Sequence, residues 1–424
     1  MSSIAFALAA ILLSHSSTGY ADPDGATLVD KWQRRAGWRD LFDGKTLDGW
    51  LGHGTMQPPG AGWMVEGGCL IHTSGGGDLV FAETFANFEL EFEWQVEAGG
   101  NSGLKYRVAT PEGSRGPQRM LGLEYQVLDD AGHVDGRAPL HRAGALYDLV
   151  PSTGGEPAMA GVFHRARIVA DGDHLEHWLD GVRVVQVDRG GVDWMGSLDA
   201  SKFRESTDFG AARPGLIGLQ DHGDMARFRN IRLRDLDSLP GERVDLFDGV
   251  SLTGWTVLGD AIYEPDEGAI LGRIGGGGQS FLITERTLAD FILEVDVKTE
   301  LPGNSGIQVR SHVNEKGRLY GYQIEIDSLE RAWSGGLYDE GRRGWLDDLS
   351  DDGYARTAFR YQEWNHYRIE CVGPTIRAWV NGIQTADFVD EADSEGVIGL
   401  QVHSGDNTRV RWRNLRLQDL GRSK

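Results

Sequence analysis

Two short stretches combine a carboxylate, an amide and a cation at alternating positions. In Gly103–Val108, an alternating strand points Leu104, Tyr106 and Val108 one way and Lys105 and Arg107 the other. In Leu123–Val127 the same logic leaves Glu124 and Gln126 on the polar face. Later in the chain the pattern recurs, with Gln308 and Arg310 on one stretch and Gln323, Glu325 and Asp327 on another. Such a patch can hold a base, an acid and hydrogen-bond donors within one sheet. His222 and His403, each two residues beyond a Gly-Leu-Gln, add imidazoles that titrate near neutrality. Taken strand by strand, a solvated polar face is an equally simple reading. Recurrence is what favours a site.

That recurrence is an internal repeat. Leu41-Phe42-Asp43-Gly44 returns as Leu246-Phe247-Asp248-Gly249, each followed by Gly-Trp. Asn101-Ser102-Gly103 returns as Asn304-Ser305-Gly306, Leu146-Tyr147-Asp148 as Leu337-Tyr338-Asp339, and Gly218-Leu219-Gln220 as Gly399-Leu400-Gln401. The period of about 200 residues makes each copy a whole domain rather than a solenoid unit. The offset shrinks along the chain, so the first copy carries extra loop around 151–160 and 189–212. Boundaries are expected at 22–37 for an N-terminal segment, 38–237 and 244–424 for the two domains, and 238–243 for a linker broken by Pro240-Gly241.

Each copy reads as many short alternating strands. Examples are 88–96, 165–169 and 174–179 in the first and 291–297, 322–326, 367–371 and 376–380 in the second. Asp180-Gly181 and Asn381-Gly382 are hairpin turns. Residues 27–36 are expected to form a short helix and little else to be helical. Sixty glycines in 424 residues, about twice the usual ~7%, fit a turn-rich all-β chain. The expected fold is two tandem β-sandwich domains of jelly-roll type.

A net charge of -22 excludes a nucleic-acid partner and disfavours an anionic membrane surface. Residues 4–13 form an apolar run too short to span a bilayer, so 1–21 reads as a signal peptide and the protein as periplasmic or secreted, without a membrane anchor. Cys69 and Cys371 occupy non-equivalent places and read as buried free thiols. The acids Glu89, Glu91 and Glu93, and Glu294 and Asp296, share strand faces resembling the carboxylate strand of jelly-roll β-glucanases. The required spacing fails, since position 299 is Thr. They read as an outer solvated face, and an ordinary paired-carboxylate glycosidase ranks last.

The landmarks LFDG…GW, NSGLKYRV, GLEYQVLDD, GALYDLV, HLEHWLDG, SKF and GLQDHGDMARFRNIRL resemble the 3-keto-disaccharide hydrolase domain family, which has a concanavalin A-like fold. In the second copy NSGIQVRS, YGYQIEID, RAWSGGLYDEGRRGW, EWNHYRIE and WVNG carry the resemblance. Phe163-His164 departs from the Trp364-Asn365 of copy two.

The resemblance implies a glycoside or oligosaccharide oxidised at C3. The ketone acidifies the C2 proton, a base removes it, the glycosidic oxygen leaves C1, and water adds back. On that implication His222 or Glu124 is the base of copy one. Lys105 and Asn101 stabilise the enolate, and Gln126, Tyr147 and His177 position the sugar. In copy two the counterparts are His403, Glu325, Gln308, Asn304, Arg310 and Tyr338, with Gln323 and Arg343 as further contacts. Glu124…Gln126 becomes Gln323…Glu325, which moves the carboxylate about 7 Å along the strand. A divalent ion held by Asp129 or Asp327 with the histidine could replace the cationic donor. A carbohydrate-binding protein, or one catalytic and one binding copy, are the alternatives.

Overall fold

The computed structural model describes residues 29–109, 120–206, 209–404 and 408–422. The expected signal peptide 1–21, and with it residues 22–28, lies outside this set. Among the described residues the strands form four antiparallel sheets, of eight and five strands in the first half and of eight and seven in the second. Each half is a two-sheet β-sandwich. Its core comes from alternation: Phe88, Leu90, Phe92, Trp94 and Val96 of the strand Phe88–Val96 face Leu104, Tyr106, Leu123 and Tyr125 of the opposing sheet. Phe291, Leu293, Val295 and Val297 face Ile307, Val309, Tyr322 and Ile324 in the second half.

The repeated Leu-Phe-Asp-Gly…Gly-Trp motif is structural. The Asp43 carboxylate accepts from the backbone N–H groups of Lys45 and Thr46, and the Trp50 indole donates to the Leu41 carbonyl at 2.8 Å. Asp248 and Trp255 repeat both arrangements, the indole reaching the Leu246 carbonyl at 2.7 Å. The hairpin residues Asp180-Gly181 and Asn381-Gly382 all have positive φ, as a tight turn between twisted strands requires. Cys69 and Cys371 are buried free thiols.

The two sandwiches meet back to back. The sheet carrying Phe88–Val96 and His164–Asp171 in the first packs against the sheet carrying Asn365–Val372 in the second. Glu89 therefore does not face solvent, and Glu91 and Glu93 are only half-buried against arginines of their own domain, which corrects the reading of a fully solvated face. Alternation shows which face points away from a strand's own core, not what covers that face. Glu89 is buried and paired with Arg167 and Arg234 of its own domain and with Arg368 of the other. Arg234 also reaches Glu370 at 3.0 Å. Glu91 pairs with Arg232, and Glu93 with Arg229 at 2.8 Å. Burial alone would raise the Glu89 pKa, but the three guanidinium groups hold it well below the usual carboxylate range. Glu370 is lowered in the same way by Arg368 and Arg234.

A short helix, α1 (Lys31–Arg35), is closed by a capping box between Asp30 and Gln33. It precedes the first domain yet packs on the second. Val29, Ala36 and Trp38 cluster with Ile292, Val372 and Leu420, and Asp30 binds Arg377 at 3.0 Å. A second helix, α2 (Val192–Ala200), fills part of the extra loop of the first copy. It was not expected from the sequence, because its pattern carries only two buried residues, Trp194 and Leu198. Among the described residues no helix is long and apolar enough to cross a membrane.

Removing one member of a buried ion cluster leaves the others uncompensated. Glu89→Gln should destabilise the chain by ~3–5 kcal/mol, read from urea denaturation. A loss below ~1 kcal/mol would show that the seam contributes little. Because both carboxylates have lowered pKa values, this contribution is present above the unfolded-state carboxyl pKa of ~4.3 and disappears as pH falls below it.

Candidate active site

The back-to-back packing leaves the other sheet of each domain facing outward. On the first, Asn101–Val108 lies between Gly215–Leu219 and Leu123–Leu128, and the register sets Lys105 opposite Glu124 and Gly103 opposite Gln126. The Lys105 Nζ lies 3.4 Å from a Glu124 oxygen and donates to the Met120 carbonyl at 3.1 Å. Both side chains are largely buried. Burial raises the Glu124 pKa; Lys105 pulls it back most strongly, then Lys202 and His222.

The Asn-Ser-Gly motif divides its work three ways. The Asn101 side-chain oxygen accepts from Gln126 at 3.1 Å. Ser102 ties its strand to the next by donating to the Gln220 carbonyl at 2.9 Å. Gly103 makes room, since a Cβ there would sit 2.6 Å from a Glu124 carboxylate oxygen. The side-chain oxygens of Gln126 and Gln220 are buried without a hydrogen-bond partner. Around this floor stand Tyr147, stacked on His141 at 4.7 Å, and Lys202, whose ammonium lies 4.2 Å from the Tyr147 ring. Burial, with Asp135 and Glu124, pushes the Tyr147 hydroxyl up to about 12. His222 is half-exposed at the mouth, 3.8 Å from Asp224 and near His133.

The structure thus gathers Glu124, Lys105, Asn101, Gln126, Tyr147 and His222. It does not gather Arg107 or His177. At Arg107 the strand bulges with φ +51° and the register shifts. Two consecutive side chains then leave on the same side. Arg107 turns inward and donates to the Gly172 carbonyl of a facing hairpin, while Val108 moves out of the main core into a small cluster with Val80, Met120 and Leu216. Gly215 opposite permits this, because a Cβ there would lie 2.6 Å from the Arg107 Cα. His177 lies between the sheets, fully buried. Its Nδ1 donates to the Gly144 carbonyl and its Nε2 accepts from the Tyr106 hydroxyl, both at 2.9 Å. Burial pushes its pKa down to about 4, so it is a neutral core histidine.

In the second domain the positions of Lys105 and Glu124 are taken by Gln308 and Gln323, which face each other in register. Ser311 donates to Gln308 at 2.6 Å, Gln308 to Gln323 at 2.7 Å, and Gln323 to Glu325 at 2.9 Å. Asn304 and Arg331 also donate to Glu325. Burial pushes Glu325 up to about 7 against these donors, with Asp327 adding to the rise. Tyr338 lies beside Gln323 and packs on Trp345. His403 sits at the rim, where its charge acts on Glu340.

Arg310 and Arg343 are not in this group. Arg310 repeats the bulge of Arg107, with φ +45°, and binds the carbonyls of Ala289 and Gly373 and the Asp290 carboxylate. Arg343 is locked between Asp339 and Asp390. Asp129 and Asp327 are occupied as well. Asp129 accepts from the backbone of Gly99 and Ala131, and Asp327 holds Arg331 and backbone N–H groups of its own turn. Neither joins a histidine, and among the described residues no group of three His, Cys, Asp or Glu is arranged to hold a metal ion. Lys202 was missed as a site residue although SKF was legible; Arg331, Trp333 and Trp345 were likewise visible only as motif letters.

The model of the 3-keto-alpha-glucoside-1,2-lyase-like domain matches residues 37–234 and again 242–418. The chain belongs to this family. A 3-keto-disaccharide hydrolase of Bacteroides thetaiotaomicron is 35% identical over 230 residues, covering 47% of this chain and 79% of that protein. Among solved structures, one from Parabacteroides distasonis, proposed to be a glycosyl hydrolase, is 26% identical, with 50% of this chain and 99% of that one covered and a TM-score of 0.45. The carbohydrate-binding module CBM66 of Bacillus subtilis is 19% identical, with 39% and 96% covered and a TM-score of 0.33. Within the lyase-like family domain, the first copy carries the buried cation–carboxylate pair and the second carries two amides in its place.

Two outcomes follow from this geometry. In Gly103→Ala the new methyl group meets the flexible end of Glu124, so the fold should persist while the carboxylate moves away from Lys105, as a crystal structure of the variant would show. For His177, the folded pKa lies below the unfolded ~6.5. Its contribution is complete above pH ~6.5 and falls by ~3 kcal/mol as pH drops toward 4. Urea denaturation across that range should show the loss, and His177→Phe should flatten it.

Proposed function

We propose that the first domain cleaves 3-keto-glycosides by elimination and hydration. The observation that carries this is the largely buried Lys105–Glu124 pair on the outward sheet, in a chain whose family is named for 3-keto-glucoside chemistry. Glu124 is the base. Burial raises its proton affinity, and Lys105 beside it keeps a positive charge where the enolate oxygen develops. Glu124 takes the C2 proton, the electron pair forms C1=C2, and the C1–O bond breaks. His222, at the mouth, gives a proton to the departing oxygen. Water then adds across C1=C2, so the net change is hydrolysis. Asn101, Gln126 and Tyr147 position the sugar, with the unpartnered amide oxygens of Gln126 and Gln220 accepting from its hydroxyl groups. The apolar run at residues 4–13 supports a periplasmic or secreted location.

The test is turnover of a panel of 3-keto-disaccharides beside their unoxidised parents. Only the oxidised members should be cleaved. Glu124→Gln should lower kcat/KM by at least ~10²-fold with the unfolding transition unchanged; full activity would refute the assignment. In the parent protein kcat/KM should rise with pH through a pKa above the ordinary carboxylate range of ~4.3. Glu124→Gln should abolish that limb.

A further inference from the structure

The second domain repeats the scaffold of the first but not its charge pair. Lys105 and Glu124 become Gln308 and Gln323 together, so cation and base are absent from the equivalent register. The remaining carboxylate, Glu325, is held by three donors: Gln323, Asn304 and Arg331. Arg331 is in turn fixed by Asp327 at 2.7 Å. Burial raises the proton affinity of Glu325 as it does for Glu124, but its donors occupy both oxygens that would have to take a proton.

The same face has two features suited to binding. Gln401 is fully buried, and both its side-chain amide atoms lack a hydrogen-bond partner. It lies on the strand Val397–Val402 between the core residues Leu400 and Val402, so its side chain leaves on the outward face, next to Phe281 across the sheet. A buried amide with unused donor and acceptor capacity is unfavourable until something meets it. Three strands along the same sheet, Tyr338 packs on Trp345 at 5.1 Å, and the half-buried rings of Trp345 and Trp333 meet edge to face at 4.8 Å, with the Arg331 guanidinium over both. Aromatic faces with polar edges suit the apolar face of a pyranose ring, whose hydroxyl groups need neighbouring amides and carboxylates. In the first domain the equivalent wall is Tyr147 with His141 and Lys202; both walls carry a cation, and the second differs in offering indoles.

We propose that the outward face of the second domain is a binding site for a neutral, unoxidised disaccharide lying across the sheet, one ring against Trp345 and Tyr338 and the other hydrogen-bonded by Gln401, and that it performs no elimination. This rests on the reading that the first domain is the catalytic one. The two sites then lie on opposite outer faces of one body.

The experiment uses the full chain carrying Glu124→Gln, with maltose and cellobiose as probes, read by calorimetry and tryptophan fluorescence. At least one disaccharide should bind. Adding Trp345→Ala or, separately, Gln401→Leu should weaken it at least 10-fold while the unfolding transition persists; two unrelated substitutions guard against a variant that misfolds. No binding of either sugar, or binding unchanged by both substitutions and lost instead on Tyr147→Ala, overturns the proposal. Cleavage of 3-keto-disaccharides that survives Glu124→Gln separates the two readings. If it then disappears on Glu325→Gln, the second domain is catalytic and this inference fails. If it persists in both, the assignment of the base fails, and the binding data alone decide the second site.

Discussion

The architecture turns on a buried carboxylate shared by two domains. Glu89 belongs to the first sandwich, yet Arg368 of the second is one of its three partners. Charges in that position cannot be left unpaired without a penalty of several kcal/mol, so the two back sheets come together as a unit. Stacked indoles support the same seam, with Arg167 over Trp178 and Arg368 over Trp379 at equivalent positions. Helix α1 crosses from the first domain onto the second and adds an apolar contact. Once the backs are joined, the other sheet of each sandwich must face outward, and any site on those sheets opens away from its twin.

The two outward faces handle polarity in opposite ways. The first keeps a cation and a carboxylate together out of water, which shifts the carboxylate toward higher proton affinity and leaves neighbouring amide oxygens unpaired. The second replaces the pair with amides that donate in series toward Glu325, which burial also raises, and leaves the Gln401 amide unpaired. The shared scaffold explains why both faces carry the Asn-Ser-Gly motif. In each copy the glycine lies under the side chain of the following strand, Glu124 in one case and Gln323 in the other.

The bulges at Arg107 and Arg310 show how one backbone irregularity redirects chemistry. Simple alternation places both arginines beside the polar patch. A positive φ at each turns the side chain inward, where it fastens the outward sheet to a hairpin of the opposite sheet. The same guanidinium that reads as a substrate contact in a linear pattern is thus a brace between layers.

The amino-acid sequence by itself determined the repeat, the all-β class, the strands and the hairpins, because period-two alternation and turn chemistry are local properties. Lys105, Glu124 and Gln126 were legible as one polar face for that reason, while Asn101 and Tyr147 came from the repeat and the family resemblance. Only the tertiary structure decided which polar residues are exposed. His177 shares a strand with polar neighbours but points into the core, Arg343 is spent on Asp339 and Asp390, and Glu89 of Phe88–Val96 lies in a seam between domains. These depend on what a distant part of the chain places against each face, and a strand's own pattern cannot encode its neighbour.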